Sequence, residues 1–237
     1  MEHYNDLRDL RILIVDDEPF QRRILREVLK NLDFRNIVEA DGGLLAVESL
    51  AAQKYDIVLS DVQMPDMNGL ELLRHIRTGK VAGPRNTRFV ILTAFSNTEV
   101  LGAAMALDVN GFLAKPIRIG VVMEKIKKAV HETFQIQPPE NYESVVTELS
   151  SLGAVQTTSE LAKPAPLSVA DKFETHGSVI LVPLTRLREG MRTAKDVVAT
   201  DGNIIIPAGT KLAQLALNRL SDLNSVLTEK VVHIIPH

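Results

Sequence analysis

Tyr55-Asp56-Ile57-Val58-Leu59-Ser60-Asp61-Val62-Gln63-Met64-Pro65-Asp66-Met67-Asn68-Gly69 is the stretch that decides the fold. An apolar run ends abruptly in a carboxylate. Met-Pro and Asn-Gly follow, both turn signals, and a helical pattern restarts at Leu70. Consecutive apolar positions of that length predict a strand buried on both faces, with Asp61 delivered to its C-terminal end. Ligands of open α/β sheets gather at the carboxyl ends of the strands. Asp61 is therefore a candidate for chemistry.

On either side of this stretch, apolar runs alternate with helical patterns from Arg11 to about His131. Ile12 to Val15 predicts a first strand. Phe20 to Leu32 predicts a helix with Ile24, Leu25, Val28 and Leu29 on one face. Asn36 to Ala40 and Leu44 to Ala52 make the second pair, and Asp56 to Ser60 and Leu70 to Ile76 the third. A glycine-containing loop, Thr78 to Thr87, leads to Phe89–Leu92 and a helix over Thr98 to Leu107. Gly111–Ala114 and Val121 to Phe134 complete the fifth pair. Five βα units in a row predict an α/β fold, a doubly wound five-stranded parallel sheet with helices on both faces.

Composition narrows the function classes. At 237 residues the chain is long enough for one large or two small domains. The net charge of -3 argues against a global basic field for nucleic acid or anionic membrane. Cysteine is absent, which excludes disulfides, thiolate zinc sites and Cys nucleophiles and suits a reducing cytoplasm. No apolar run approaches the ~20 residues that span a bilayer, so no membrane contact is expected. The N-terminal Met1–Asp6 is polar and does not read as a signal peptide. Without Trp, and with few other aromatics, stacking on single-stranded nucleic acid is disfavoured.

Each predicted strand end carries something polar. Asp16-Asp17-Glu18 follows the first, Asp61 the third, Thr93 the fourth and Lys115-Pro116 the fifth. Any one of these reads ordinarily as a cap, a strand-end hydroxyl or a solvated lysine. Together, at neighbouring strand ends, they gather carboxylates, a hydroxyl and an ammonium in one crevice. Clustered carboxylates resist joint ionisation unless a cation sits among them. A hard, oxygen-ligated ion such as Mg²⁺ resolves the repulsion and engages phosphate oxygens. The chemistry that fits is phosphoryl transfer onto Asp61, with Lys115 neutralising charge and Thr93 hydrogen-bonded to the bound group.

These residues, with the Met-Pro-Asp-Met-Asn-Gly loop, closely resemble a response-regulator receiver domain of the chemotaxis type. The resemblance covers about the first 130 residues. It implies a flavodoxin-like strand order 2-1-3-4-5. It also implies a Mg²⁺ ion held by Asp17, Asp61 and the backbone carbonyl of Gln63, and through water by Asp16. Asp61 would be the phosphoacceptor, and Thr93 and Phe112 a switch pair. The donor would be a sensor histidine kinase or a histidine phosphotransfer protein. The face of the fourth helix, fifth strand and fifth helix would carry signalling, including homodimerisation. Catalysis would be limited to the protein's own phosphorylation and dephosphorylation.

The pattern stops at Pro138-Pro139. Residues 8–134 are assigned to the receiver, 135–177 to a flexible linker rich in Ser, Thr, Ala and Pro, and 178–237 to a small α+β output or interaction module. Glu143 to Leu152 reads as a weak helix, with nothing sizeable to bury anywhere in the linker. In the module, Val179–Val182 and Val231–Ile235 predict strands. Thr200-Asp201-Gly202 marks a hairpin between Ala194–Ala199 and Asn203–Ile206, and Leu212 to Leu223 reads as an amphipathic helix with Arg219 on its apolar side. About sixty residues is near the lower limit for independent folding, so the module is expected to lean on a partner. Its turns resemble the small segment that precedes HD-GYP cyclic-di-GMP phosphodiesterase domains, without their catalytic part. Arg188-Glu189-Gly190-Met191-Arg192 matches the Arg-x-x-x-Arg element of PilZ cyclic-di-GMP receptors, but its companion element is missing. Output through protein contact with an unknown downstream partner is the leading expectation, and no DNA binding is expected. The alternatives are a cyclic-di-GMP-related binding module or a separate HD-GYP-type phosphodiesterase partner.

Overall fold

The computed structural model describes residues 7–94, 97–152, 179–200, 204–223 and 227–236. Met1–Asp6, the Lys163–Pro166 patch, the hairpin tip at Asp201-Gly202 and His237 lie outside them. The first half alternates β1 (Arg11–Val15), α1 (Pro19–Asn31), β2 (Asn36–Ala40), α2 (Gly43–Ala52) and β3 (Ile57–Asp61). Then come α3 (Gly69–Thr78), β4 (Arg88–Thr93), α4 (Thr98–Ala106), β5 (Gly111–Ala114) and α5 (Ile119–His131). The five strands form one parallel sheet in the order β2-β1-β3-β4-β5.

The apolar runs are strands because both sheet faces are dry. Ile12 and Ile14 of β1 face a cluster with Leu25, Leu29 and Ile126, under α1 and α5. Leu13 and Val15 face the opposite cluster, with Leu50, Leu73 and Leu101, under α2, α3 and α4. Alternate side chains of one strand thus enter two cores, and polar positions are left mainly at the strand ends. In α1, Leu25, Val28 and Leu29 are buried as predicted, but Ile24 is 40% exposed. It sits one step round the helix from Leu25, off the narrow stripe that meets the sheet. Asn68 caps α3, accepting from the Leu70 and Glu71 amides, while the Glu71 carboxylate accepts from the Asn68 amide.

The first part of the predicted linker, up to Leu152, is packed, and residues 153–177 lie outside the described residues. Pro139–Glu143 forms the short helix α6 against α3, and Tyr142 is 0% exposed. The Tyr142 hydroxyl donates to the Asp108 carboxylate at 2.6 Å and accepts from the Gln137 amide at 2.7 Å. Beside it the fully buried Arg77 donates to the carbonyls of Arg85, Thr87, Leu107 and Asp108 and to the Asn110 side chain. Burial lowers the Arg77 guanidinium to about 10, so it keeps its charge at neutral pH. Farther along, Asn68 donates to the Thr147 carbonyl at 2.9 Å, Arg74 to Val145 at 3.0 Å and Asn97 to Leu152 at 2.8 Å. Residues 139–152 are therefore a strap across α3 and the start of α4, and the helix predicted over Glu143 to Leu152 is replaced by turns. Composition concealed the strap because Tyr142 alone of its apolar side chains is fully buried, Val145, Leu149 and Leu152 pack on the core in part, and side chains from the receiver donate to its backbone carbonyls.

The module contains β6 (Ile180–Pro183), β7 (Arg192–Thr193), β8 (Val197–Val198), β9 (Ile204–Ile206), α7 (Gln214–Asp222) and β10 (Val231–Ile235). Its sheet runs β6-β10-β7, antiparallel, and β8 pairs with β9. The expected partner is the receiver itself. Val197, Ile205, Leu212, Leu220 and Leu223 join the same apolar cluster as Leu101 and Phe112. The face of α4, β5 and α5, predicted to be open for homodimerisation, is thus covered by the chain's own module.

Replacing Tyr142 with Ala should lower unfolding free energy by about 3 kcal/mol in urea titration. A loose tether at this point would give a change of only about 0.5 kcal/mol.

Candidate functional site

β3 is central in the sheet, flanked by β1 and β4. Ser60 pairs with Val15 and Asp61 with Leu92, so Asp16 and Asp61 emerge side by side one step beyond the last apolar pairs. Thr93 pairs with Ala114, and the Lys115 amide donates to the Thr93 carbonyl at 2.8 Å. The strand register therefore brings four of the predicted residues to one edge before any side chain reaches out.

Lys115 Nζ lies 3.0 Å from Asp61 Oδ1 and 3.2 Å from Asp16 Oδ2. Asp16 is 1% exposed. Its other oxygen accepts from the Glu18 amide at 2.9 Å, and its backbone carbonyl accepts from Arg22 at 2.6 Å. Asp61 Oδ1 also accepts from the Val62 amide at 2.8 Å. Asp17 is exposed, at the mouth. Oxygens of Asp16, Asp17 and Asp61 all lie within 4.8 Å of one another, the one such group of potential metal ligands among the described residues. Burial raises the Asp61 carboxyl above its usual 3.8. Lys115 opposes that rise by charge and hydrogen bond, and the Asp16 carboxylate adds to it.

One ammonium thus faces three carboxylates. The donor set is all oxygen and anionic, which fits a hard divalent cation such as Mg²⁺ and does not suit a soft metal. Gln63, predicted to lend its backbone carbonyl, sits two residues past Asp61 in the β3–α3 loop. Thr93 is partly buried at the end of β4. Phe112 is buried within the apolar cluster shared with the module. His233 lies beside Glu229 at 3.4 Å, away from this site. Arg192 donates to the Gly209 carbonyl at 2.5 Å, inside the module.

Several contributors escaped the sequence reading. Gly69 reads as half of an Asn-Gly turn, but its need is steric. A Cβ there would stand 2.1 Å from the Asp61 carbonyl oxygen. The first turn of α3 is pressed against the acceptor's own backbone. Asn68 and Asn97 are ordinary helix caps in sequence, yet both also hold the strap, one just after Asp61 and the other just after Thr93. The spacing Asn68-x-x-Glu71 was a legible capping signal. Nothing local marked the second bond of either Asn.

The chain matches the family described as response regulator receiver domain over residues 12–127. It is 36% identical over 121 residues to chemotaxis protein CheY-3 of Vibrio cholerae, covering 51% of this chain and 92% of that one. It is 28% identical over 174 residues to the sensory/regulatory protein RpfC of Xanthomonas campestris, covering 73% of this chain but only 23% of RpfC. Among solved structures it is similar to the receiver domain of a Pseudomonas aeruginosa sensor histidine kinase with magnesium ion coordinated in the active site cleft. That likeness has 25% identity and a TM-score of 0.47, over 52% of this chain and 99% of that one. The family match stops short of the module.

Gly69→Ala should destabilise the chain by about 2 kcal/mol or more in denaturant titration, because the clash is with backbone. The Asp61 carboxyl, raised in the folded chain, contributes stability that is present below 3.8 and lost as pH rises through its folded value. Asp61→Asn should therefore be more stable than wild type at neutral pH in magnesium-free buffer. The difference should close as pH falls below 3.8, followed by thermal melts across pH.

Proposed function

The chain belongs to the response regulator receiver family of two-component signalling, and from that premise we propose that Asp61 accepts a phosphoryl group from a phosphohistidine donor. An Asp61 carboxylate oxygen attacks phosphorus, the P–O bond forms as the P–N bond breaks, and the electron pair leaves with the donor imidazole. The donor is a sensor histidine kinase or a histidine phosphotransfer protein. Lys115, already 3.0 Å from Asp61, is placed to offset the negative charge that arrives. Asp16, Asp17 and Asp61, with the Gln63 carbonyl, would hold Mg²⁺. When bound, the ion neutralises the carboxylates and the incoming phosphoryl oxygens. Thr93 supplies a hydroxyl donor at the neighbouring strand end, and its reach to the phosphoryl group is coupled to Phe112 on β5.

The observation that carries this reading is the single crevice in which Lys115 bridges Asp16 and Asp61 while Asp17 stands at the mouth. The chain acts on no other substrate in this proposal. Its output is a contact between the module and a downstream protein. No helix among the described residues is long and apolar enough to cross a membrane, and the site of action is the cytoplasm. A homodimer through α4, β5 and α5 requires the module to leave that face first.

Incubation with acetyl phosphate and Mg²⁺ should add one phosphoryl group to the intact mass, and Asp61→Asn should abolish the addition. Lys115→Met should slow it by about 100-fold. An unmodified wild type, or an Asp61→Asn variant modified like wild type, would contradict the assignment.

A further inference from the structure

Asn68 and Asn97 each use both ends of a carboxamide. Asn68 is buried. Its Oδ1 caps α3, accepting from the Leu70 and Glu71 amides at 2.9 and 3.0 Å, while its Nδ2 donates to the Thr147 carbonyl of the strap at 2.9 Å. Asn97 repeats the arrangement after the next strand. Its Oδ1 accepts from the Val100 amide at 3.0 Å in the first turn of α4, and its Nδ2 donates to the Leu152 carbonyl at 2.8 Å. Turned round, either carboxamide would set its nitrogen against amide donors and its oxygen against a carbonyl, so the neighbours fix which end is which. Capping alone does not call for Asn, because Asp and Ser cap about as well. The bond to the strap is what needs the carboxamide: Asp has no donor to offer, and Ser is too short to span both partners.

Both residues stand on connections that leave the site. The loop after Asp61 is closed at its neck by the Gly69 amide, which donates to the Val62 carbonyl at 3.0 Å. Gly69 is itself held against the Asp61 carbonyl, where a Cβ would stand 2.1 Å away. Asn68 immediately precedes that contact, so direct contacts run from the Thr147 carbonyl through Asn68 and Gly69 to the acceptor's backbone. The same loop carries Gln63. On the neighbouring strand, Thr93 ends β4 and Asn97 precedes α4. The strap that holds both is anchored elsewhere, by Arg74 on the Val145 carbonyl and by Tyr142 on Asp108. A loop already ordered loses less freedom when it takes up a ligand.

We propose that Asn68 and Asn97 are positioning residues for the Asp61 site: through their carboxamide nitrogens the strap holds the β3–α3 loop ready for Mg²⁺ and the β4–α4 connection ready for the phosphoryl group. The proposal rests on Asp61 being the acceptor. Asn68 steadies the loop that carries the Gln63 carbonyl, so its bond to the strap governs metal affinity. Groups that orient metal ligands from outside commonly change affinity by about 10- to 100-fold. Asn97 acts on the connection that follows Thr93, which serves the phosphoryl group and is not among the metal ligands. Its bond to the strap therefore governs the transfer step. One strap thus acts on two separable quantities through two residues.

Two substitutions in the full chain keep a cap and drop its bond to the strap. Asn68→Asp adds a carboxylate that by charge alone would attract a cation, so a loss of affinity reports lost positioning. Calorimetric titration should show it binding Mg²⁺ about tenfold more weakly than wild type. In the metal-free chain, amide exchange over residues 62–68, followed by mass spectrometry, should be faster than in wild type. Asn97→Ser adds no charge. It should keep the wild-type affinity for Mg²⁺ and, at saturating Mg²⁺, take the phosphoryl group from acetyl phosphate about fivefold more slowly. A strap that only adds stability would lower Tm in both variants and move neither affinity nor rate. Wild-type Mg²⁺ affinity in Asn68→Asp, wild-type exchange over residues 62–68, or a wild-type phosphorylation rate in Asn97→Ser would each overturn the positioning role and leave the acceptor reading standing. A wild-type chain that takes no phosphoryl group would overturn both. Should Asn68→Asp fail to fold, Asn68→Ser keeps the cap and removes the same bond.

Discussion

The Lys115 ammonium, shared between Asp16 and Asp61 at 3.2 and 3.0 Å, is the interaction on which the site depends. Two charges ~4 Å apart near a protein surface interact by about 4 kcal/mol, so the carboxylates of Asp16, Asp17 and Asp61 could not be held together ionised without a counter-charge. One ammonium offsets one of three negative charges. The remainder is a standing demand for a divalent cation, and the cation in turn prepares the crevice for a phosphoryl group. Parallel pairing delivers all these groups to one edge, because every strand runs the same way and ends at the same rim.

The rest of the molecule surrounds that rim with connections. Gly69 lets the first turn of α3 close against the Asp61 carbonyl. Asn68 and Asn97, one after each of two central strands, tie the β3–α3 and β4–α4 loops to the strap. Arg77, Asp108 and Tyr142 anchor the strap at the opposite end of α3, where the guanidinium satisfies carbonyls that the packed chain would otherwise leave dry. The module then lies on α4, β5 and α5. The site, the loops that flank it and the covering module form one continuous set of packed contacts.

The receiver half was legible because its signals are local and repeated. Five apolar runs bounded by turns gave the strands to within a residue or two, and the residues after them gave the site. The order of the strands came from resemblance to a family and not from periodicity. Ile24 was misplaced because a helix stripe is narrower than its apolar residues suggest. The strap was misread as tether because its packed apolar residues, Tyr142, Val145, Leu149 and Leu152, are few and its remaining anchors are backbone carbonyls. Arg77 lies one residue past the helix read over Leu70 to Ile76, and Arg219, although on the apolar side of its helix, carries a charge whose partner no local pattern names. Only the tertiary structure shows the carbonyls and the carboxylate that receive them. The small size of the module did signal that it needed a partner, but not that the partner was the receiver's own face.

The central claim is that three strand-end carboxylates form one oxygen-lined crevice prepared for a divalent cation. Calorimetric titration of Mg²⁺ into the metal-free chain tests it most directly. Wild type should bind one saturating ion, with affinity weakening sharply in Asp17→Asn and Asp61→Asn. Absence of saturable binding in wild type, or binding unchanged by either substitution, would contradict the account.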